Sequence, residues 1–325
     1  MSRAQITSST TKHYKLSITL LPLETQKHSS CDQTTFKMTS TMTQSLPPRS
    51  LHTSSSSNLP SGDVQAPLNF YNPPSDPFEA PYMYVEDPPA RRNYTDIART
   101  VNIQDVRTSA KDFADVSQHA FACLPGPYTT PSRVSWDDDE SIKENYYPTV
   151  IELLQKTLNA REIVIFDHTL RRASPTSSRL PVLRVHIDQT ASSAAARVHR
   201  HSSSESEATT RLAGRYRIVN VWRPINGPVE TSPLAFAEAD SLKAEDLVPI
   251  EHRYPDRTGE TAGIRHSEGQ QWWYWSGMTE EERILLLCFD SERQEKRVPH
   301  TAFVDPRAED GKPRESIEVR ALVFG

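Results

Sequence analysis

Cysteine is scarce in this chain: Cys31, Cys123 and Cys288 are widely spaced and odd in number. That excludes a disulfide framework or a zinc cluster and points to a reducing compartment, so a cytoplasmic location is expected. Glycine is scarce too, at 10 residues in 325, and no glycine-rich loop follows a strand pattern. An S-adenosylmethionine or dinucleotide site is therefore not expected. Apolar runs of the ~18 residues needed to span a bilayer are lacking. The longest early one, Leu16 to Leu23, is interrupted by Ser17, Thr19 and Pro22. There is no excess of positive charge: 37 Lys and Arg stand against 42 Asp and Glu, a net charge of -5. Neither nucleic acid nor a membrane is an expected partner.

Serine and threonine, by contrast, crowd residues 1–64, where Ser54 to Ser57 form a homopolymer. Such a segment cannot bury enough apolar surface to offset its ordering entropy, so it reads as a disordered extension. Arg3, Lys12 and Lys15 without an acid in the first 23 residues suggest a transit peptide. A true start at Met38 or Met42 explains the same composition without targeting, and we favour it. Residues 65–325 then form one domain. Proline punctuates Pro73 to Pro89, which predicts extended, wrapping segments.

From Asp137 to Ala160 the pattern is helical, with Ile142, Tyr146, Val150 and Leu154 on one stripe and Pro148 breaking or kinking it. Its acidic start suits the positive end of a helix dipole. Beyond it strands dominate: Ile163 to Phe166, Pro181 to Ile187, Tyr216 to Trp222, Leu234 to Ala237, Trp272 to Trp275, Ile284 to Phe289 and Ile317 to Phe324. Val101 to Val106 reads as a short early strand, and Ser202 to Thr210 as a loop or short helix. Many strands with flanking helices predict a mainly β fold with a double-stranded β-helix (jelly-roll) core.

On that scaffold one constellation carries chemistry. His186-Ile187-Asp188 puts two ligand side chains on the same side of a strand, because strand side chains alternate. His300 follows far downstream, and two imidazoles with one carboxylate are the ligand set of a facial triad for non-haem Fe(II). Arg314-Glu315-Ser316 then offers a bidentate donor and a hydroxyl to a dicarboxylate co-substrate. Arg314, Ser316, Glu318 and Arg320 share one face of the last strand.

Several strings together resemble one family, the fungal AsaB-like hydroxylase/desaturases, related to gibberellin desaturase and the cephamycin methoxylation component. They are Leu68-Asn69-Phe70-Tyr71, Phe166 to Arg172, Val185 to Thr190, Ile218 to Ile225, Pro233-Leu234-Ala235, Phe289-Asp290-Ser291, Pro299 to Phe303 and Arg314 to Phe324. The resemblance covers residues 66 to 325 in order. It implies an Fe(II)- and 2-oxoglutarate-dependent oxygenase that uses dioxygen to hydroxylate or desaturate a small molecule of secondary metabolism. Under it His186, Asp188 and His300 bind iron and Arg314 with Ser316 binds 2-oxoglutarate, with Arg320 as rival. His168, Arg172, Asn220, Trp222 and Tyr274 are candidate substrate contacts. His199 and His201 read as loop residues outside the metal site, and the oligomeric state is open. Two other readings stand beside this one: metal-assisted hydrolysis or isomerisation in a cupin-like roll, and a non-catalytic or accessory jelly-roll subunit of a methoxylation-type tailoring complex. The hydrolytic reading lacks a use for Arg314-Glu315-Ser316, and intact residues at all three metal positions argue against the non-catalytic one.

Overall fold

Alternating and continuous apolar runs sort the strands of this protein into two sheets. In the computed structural model, residues 59–76, 78–85, 91–173, 177, 179–308 and 310–325 are described. In chain order the strands begin with β1 (Val64–Asn72), β2 (Tyr82–Tyr84) and β3 (Thr95–Asp105). After a one-turn helix α1 (Val116–His119) come β4 (Phe121–Leu124), α2 (Asp139–Asn145), α3 (Tyr147–Leu158) and β5 (Glu162–Arg172). Next are β6 (His186–Ile187), α4 (Ala191–Arg200), α5 (Glu205–Ala213), β7 (Tyr216–Pro224) and β8 (Leu234–Ala237). The chain closes with β9 (Leu247–Arg253), β10 (Thr258–Ile264), β11 (Trp272–Tyr274), β12 (Arg283–Asp290), β13 (His300–Ala302) and β14 (Glu315–Phe324).

A nine-stranded sheet runs β1-β3-β11-β8-β13-β6-β10-β9-β2, and a five-stranded sheet runs β4-β12-β7-β14-β5. Among the named strands of the described residues, the β3–β11 and β2–β9 pairings are parallel and the others antiparallel. The larger sheet curls: Leu68 and Phe70 of β1 join Ile187, Ala262 and Ile264 in one apolar cluster on the face away from the smaller sheet. This is the jelly-roll core expected from the sequence. β12 is buried from Arg283 to Asp290, its run Ile-Leu-Leu-Leu-Cys-Phe lying between covered faces. Each fully buried aliphatic chain there contributes roughly 1.5–3 kcal/mol.

Helices cover the outer face of the five-stranded sheet. Pro148 splits the expected single helix in two: α2 ends at Asn145 and Pro148 sits in the first turn of α3, where a missing N–H costs nothing. Val150, Ile151 and Leu154 of α3 enter the main core with Ile317, Val319 and Ala321 of β14. Asn159, in the left-handed conformation, ends the helix. The expected strand over Pro181 to Ile187 shortens to β6, and Ser202 to Thr210 belongs largely to α5. Residues 1–58 of the expected extension lie outside the described residues. Residues 59–64 are built into the domain: the Gly62 N–H donates to Asp105 Oδ2 at 2.8 Å and the Tyr274 hydroxyl to the Gly62 carbonyl at 2.7 Å.

Candidate active site

β13 pairs with β6 so that His300 stands directly opposite His186. Directly opposed residues share a sheet face, and the two imidazole centroids are 4.5 Å apart. Asp188 returns to the same side two residues on, with Oδ1 3.4 Å from His186 Nε2. One ligand atom from each of the three residues lies within 4.8 Å of the others.

The tautomers follow from the main chain. His186 Nδ1 is 2.8 Å from the Arg184 carbonyl, and His300 Nδ1 is 3.3 Å from the Val298 carbonyl. A carbonyl can only accept, so each Nδ1 carries the proton and each Nε2 keeps its lone pair. Burial, with the charge of His186, lowers the His300 pKa to about 4, so the ring is neutral at physiological pH. Burial pushes the Asp188 carboxyl up, but His186, Arg320 and His300 outweigh it and hold it well below the carboxylate range. Two imidazoles with Nδ1 turned to main-chain carbonyls and an ionised carboxylate fit a divalent iron that keeps its remaining positions open.

The opposite wall is the inner face of the five-stranded sheet. Register places Arg320 beside Asn220 and Asp167, Glu318 beside Trp222 and Thr169, and Ser316 beside Pro224 and Arg171. Asn220 Nδ2 donates to Asp188 Oδ2 at 2.7 Å, and Arg320 Nη1 lies 3.7 Å from the same oxygen. Thus the two sheets meet at the Asp188 carboxylate.

Arg314 and Arg320 share this face but differ in their partners. Arg320 Nε donates to Asp167 Oδ1 at 2.7 Å and lies 3.8 Å from Glu318. Arg314 is 2 % exposed, stacks over the Trp222 ring at 5.3 Å and gives one N–H to the Ser232 carbonyl at 2.5 Å. Its Nε is buried without a partner, and no carboxylate of the described residues forms an ion pair with it. Burial, then the charge of Arg171, lowers its pKa to about 9. A buried guanidinium so placed is set up to receive an anion.

Other expected contacts lie elsewhere. His168 and Arg172 are opposite Val319 and Glu315, on the helix-covered face. His168 Nδ1 is 2.8 Å from the Tyr147 hydroxyl, and Arg172 pairs with Glu315 and Asp137. The alternation of β5 therefore turns Arg171, not Arg172, toward the His186, Asp188 and His300 side. Tyr274 is opposite Ala235, while Trp273 is opposite Phe236 and Phe236 opposite His300. Tyr274 thus faces away from the metal ligands, and its hydroxyl receives an N–H from Arg307 at 2.7 Å. Trp222 faces the site, but as the buried platform for Arg314. His199 and His201 belong to α4 and its C-cap, not to a loop.

Two site neighbours escaped the sequence. His252 of β9 lies near enough for the charges of Arg184, His186 and Asp188 to act on it. Burial, then Arg184 and His186, lowers its pKa to about 4. Its ring is 3.0 Å from the Thr261 hydroxyl. Asp167 anchors Arg320 from β5, and only strand register could have revealed it.

A family profile described as "Oxidoreductase/YMDC permease-like domain" matches residues 68–324. No helix of the described residues is long and apolar enough to cross a membrane. Hydroxylase/desaturase poxK of Penicillium oxalicum is 32 % identical over 305 residues, covering 82 % of this chain and 92 % of the relative. Hydroxylase/desaturase asaB of Aspergillus flavus is 42 % identical over 157 residues, covering 43 % and 69 %. The solved structure of the iron and alpha-ketoglutarate-dependent endoperoxidase NvfI superposes with a TM-score of 0.73 at 27 % identity, covering 81 % and 98 %.

Proposed function

This chain belongs to the oxidoreductase family of the fungal hydroxylase/desaturases, and we propose that in it His186, Asp188 and His300 hold the catalytic Fe(II). It is an Fe(II)/2-oxoglutarate-dependent oxygenase of small molecules. The observation that carries the site assignment is the convergence of two Nε2 lone pairs and an ionised carboxylate within 4.8 Å. With 2-oxoglutarate and dioxygen, bound iron supplies an oxidant able to break an unactivated C–H bond, releasing succinate and carbon dioxide.

The chain's own residues bind, orient and exclude water. Arg314 forks onto the distal carboxylate of 2-oxoglutarate and Ser316 adds a hydroxyl. That Arg314 forms no ion pair among the described residues supports this choice over Arg320, whose charge is already met by Asp167. Trp222 shields the guanidinium from water, which strengthens its pairing with a carboxylate. Hydroxylation or desaturation then follows from where the substrate carbon is held. Arg171 and His252 are the residues of this chamber closest in kind to substrate contacts. The expected domain over 65–325 acts as one oxygenase unit and takes in residues 59–64 as well. The cysteine usage supports a cytoplasmic enzyme.

Succinate release tests this reading. Protein supplied with Fe(II), ascorbate, 2-oxoglutarate and a candidate substrate is expected to form succinate, and His186→Ala to form none. Turnover and iron content in His186→Ala equal to those of the native protein would exclude the assignment.

A further inference from the structure

We infer that Asn220 is a positioning residue for the metal: it grips the outer oxygen of Asp188 so that the carboxylate presents a single oxygen to the ion. The inference rests on the metal assignment above and adds a residue and a task to it. Asp188 has two oxygens with different neighbours. Oδ1 faces His186 Nε2 at 3.4 Å, on the ligand side. Oδ2 receives the Asn220 Nδ2–H at 2.7 Å and has Arg320 Nη1 3.7 Å away. A carboxylate held on one oxygen by a hydrogen bond, with a guanidinium charge beside that same oxygen, is not free to swing both oxygens to one ion.

Asn220 is built for this at a cost. It is 0 % exposed on β7, between the backbones of β12 and β14. Its amide orientation is fixed by chemistry, because the reverse would set the amide oxygen against a carboxylate. With Nδ2 so committed, Oδ1 is left buried without a hydrogen-bond partner. An apolar side chain in this sheet would avoid that orphan acceptor, so the compensating interaction is the one to Asp188. Arg320 supplies charge from the next strand and is itself steadied by Asp167 at 2.7 Å and by the Thr169 hydroxyl. Groups that orient a metal ligand in this way typically change metal affinity about 10- to 100-fold when removed.

Anaerobic titration of metal-free protein with Fe(II), and with Co(II) followed by its visible ligand-field absorption, reads this directly. The native protein is expected to bind one equivalent and His186→Ala none. Asn220→Ala and the isosteric Asn220→Asp are expected to bind about 10- to 100-fold more weakly, with an altered Co(II) spectrum. The metal-free melting temperature of the isostere checks that the fold is intact. A merely structural asparagine would leave affinity and Co(II) spectrum unchanged in both variants, and that result overturns the inference. Metal retained by His186→Ala would instead overturn the site assignment, so the two failures are distinguishable.

Discussion

The two faces of β14 behave as two different materials. Toward α3 it presents Ile317, Val319 and Ala321, all fully buried in the main core. Toward His186, Asp188 and His300 it presents Ser316, Glu318 and the partly buried Arg320, with Arg314 just before the strand; Arg314, Ser316 and Glu318 are buried, and charge there is far more costly to bury. The outer face is explained by stability alone. The inner face is not: burial raises the Glu318 carboxyl, and Asp188 raises it further, while Arg314 Nε is buried without a hydrogen-bond partner. A fold retains such a surface where it has a ligand to hold, and the contrast separates the residues that act from those that support them.

The sharpest way to break the contrast is to remove a metal ligand. His300→Ala is expected to abolish iron binding and succinate formation, both measured on the same preparation. Next comes Arg314: its replacement by Gln should weaken 2-oxoglutarate binding by roughly 2–5 kcal/mol, the cost of leaving a carboxylate without its buried partner. Isothermal titration of the Co(II) form with 2-oxoglutarate reads this. An affinity unchanged in Arg314→Lys would transfer the role to Arg320. Arg320→Gln, by contrast, should show mainly as lost stability of roughly 1–3 kcal/mol in denaturant unfolding, because it strands the buried Glu318 while Asp167 keeps solvent contact. On the outer face, Leu154→Ala should cost about 2–5 kcal/mol of stability and leave the 2-oxoglutarate affinity of the folded protein unchanged.

The smallest expected effect, per unit of pH, comes from the buried histidines. His252 and His300 titrate near 4 in the fold, against 6.5 for an ordinary histidine. Between these values the unfolded chain binds protons that the folded chain does not. Stability of the metal-free protein therefore falls as pH drops from 6.5 to 4, by at most roughly 1.4 kcal/mol per pH unit for each histidine. Melting temperatures in chelator across that window should show the slope, and His252→Gln should flatten it. Equal slopes in the two proteins would remove His252 from the buried set.

Much of this was legible in the residues. Long apolar runs such as Ile284 to Phe289 announced strands because they are buried on both faces. His186, Asp188, His300 and Arg314 stood out because iron and carboxylates demand few residue types in fixed spacing. β9 and β10 were not legible: Leu247–Arg253 and Thr258–Ile264 carry proline, glycine and charge, and pair at the sheet's edge region next to the short β2. α4 escaped because its capping box uses Ser193 where the usual signal is Glu or Gln. The substrate-side residues failed for a different reason. Alternation says that Arg171 and Arg172 face opposite ways, but only the pairing of β5 with β14 says which way is in. Likewise, Asn220 stood out as a candidate substrate contact, whereas its bond to Asp188 depends on two sheets meeting in space.

Crystals soaked with Mn(II) and 2-oxoglutarate without oxygen test the account most directly, through the anomalous signal of the metal and the position of the co-substrate. One ion bonded to His186 Nε2, His300 Nε2 and Asp188 Oδ1, with the distal carboxylate on Arg314, is the expected result. An ion bound elsewhere, or a carboxylate seated away from Arg314, would contradict it.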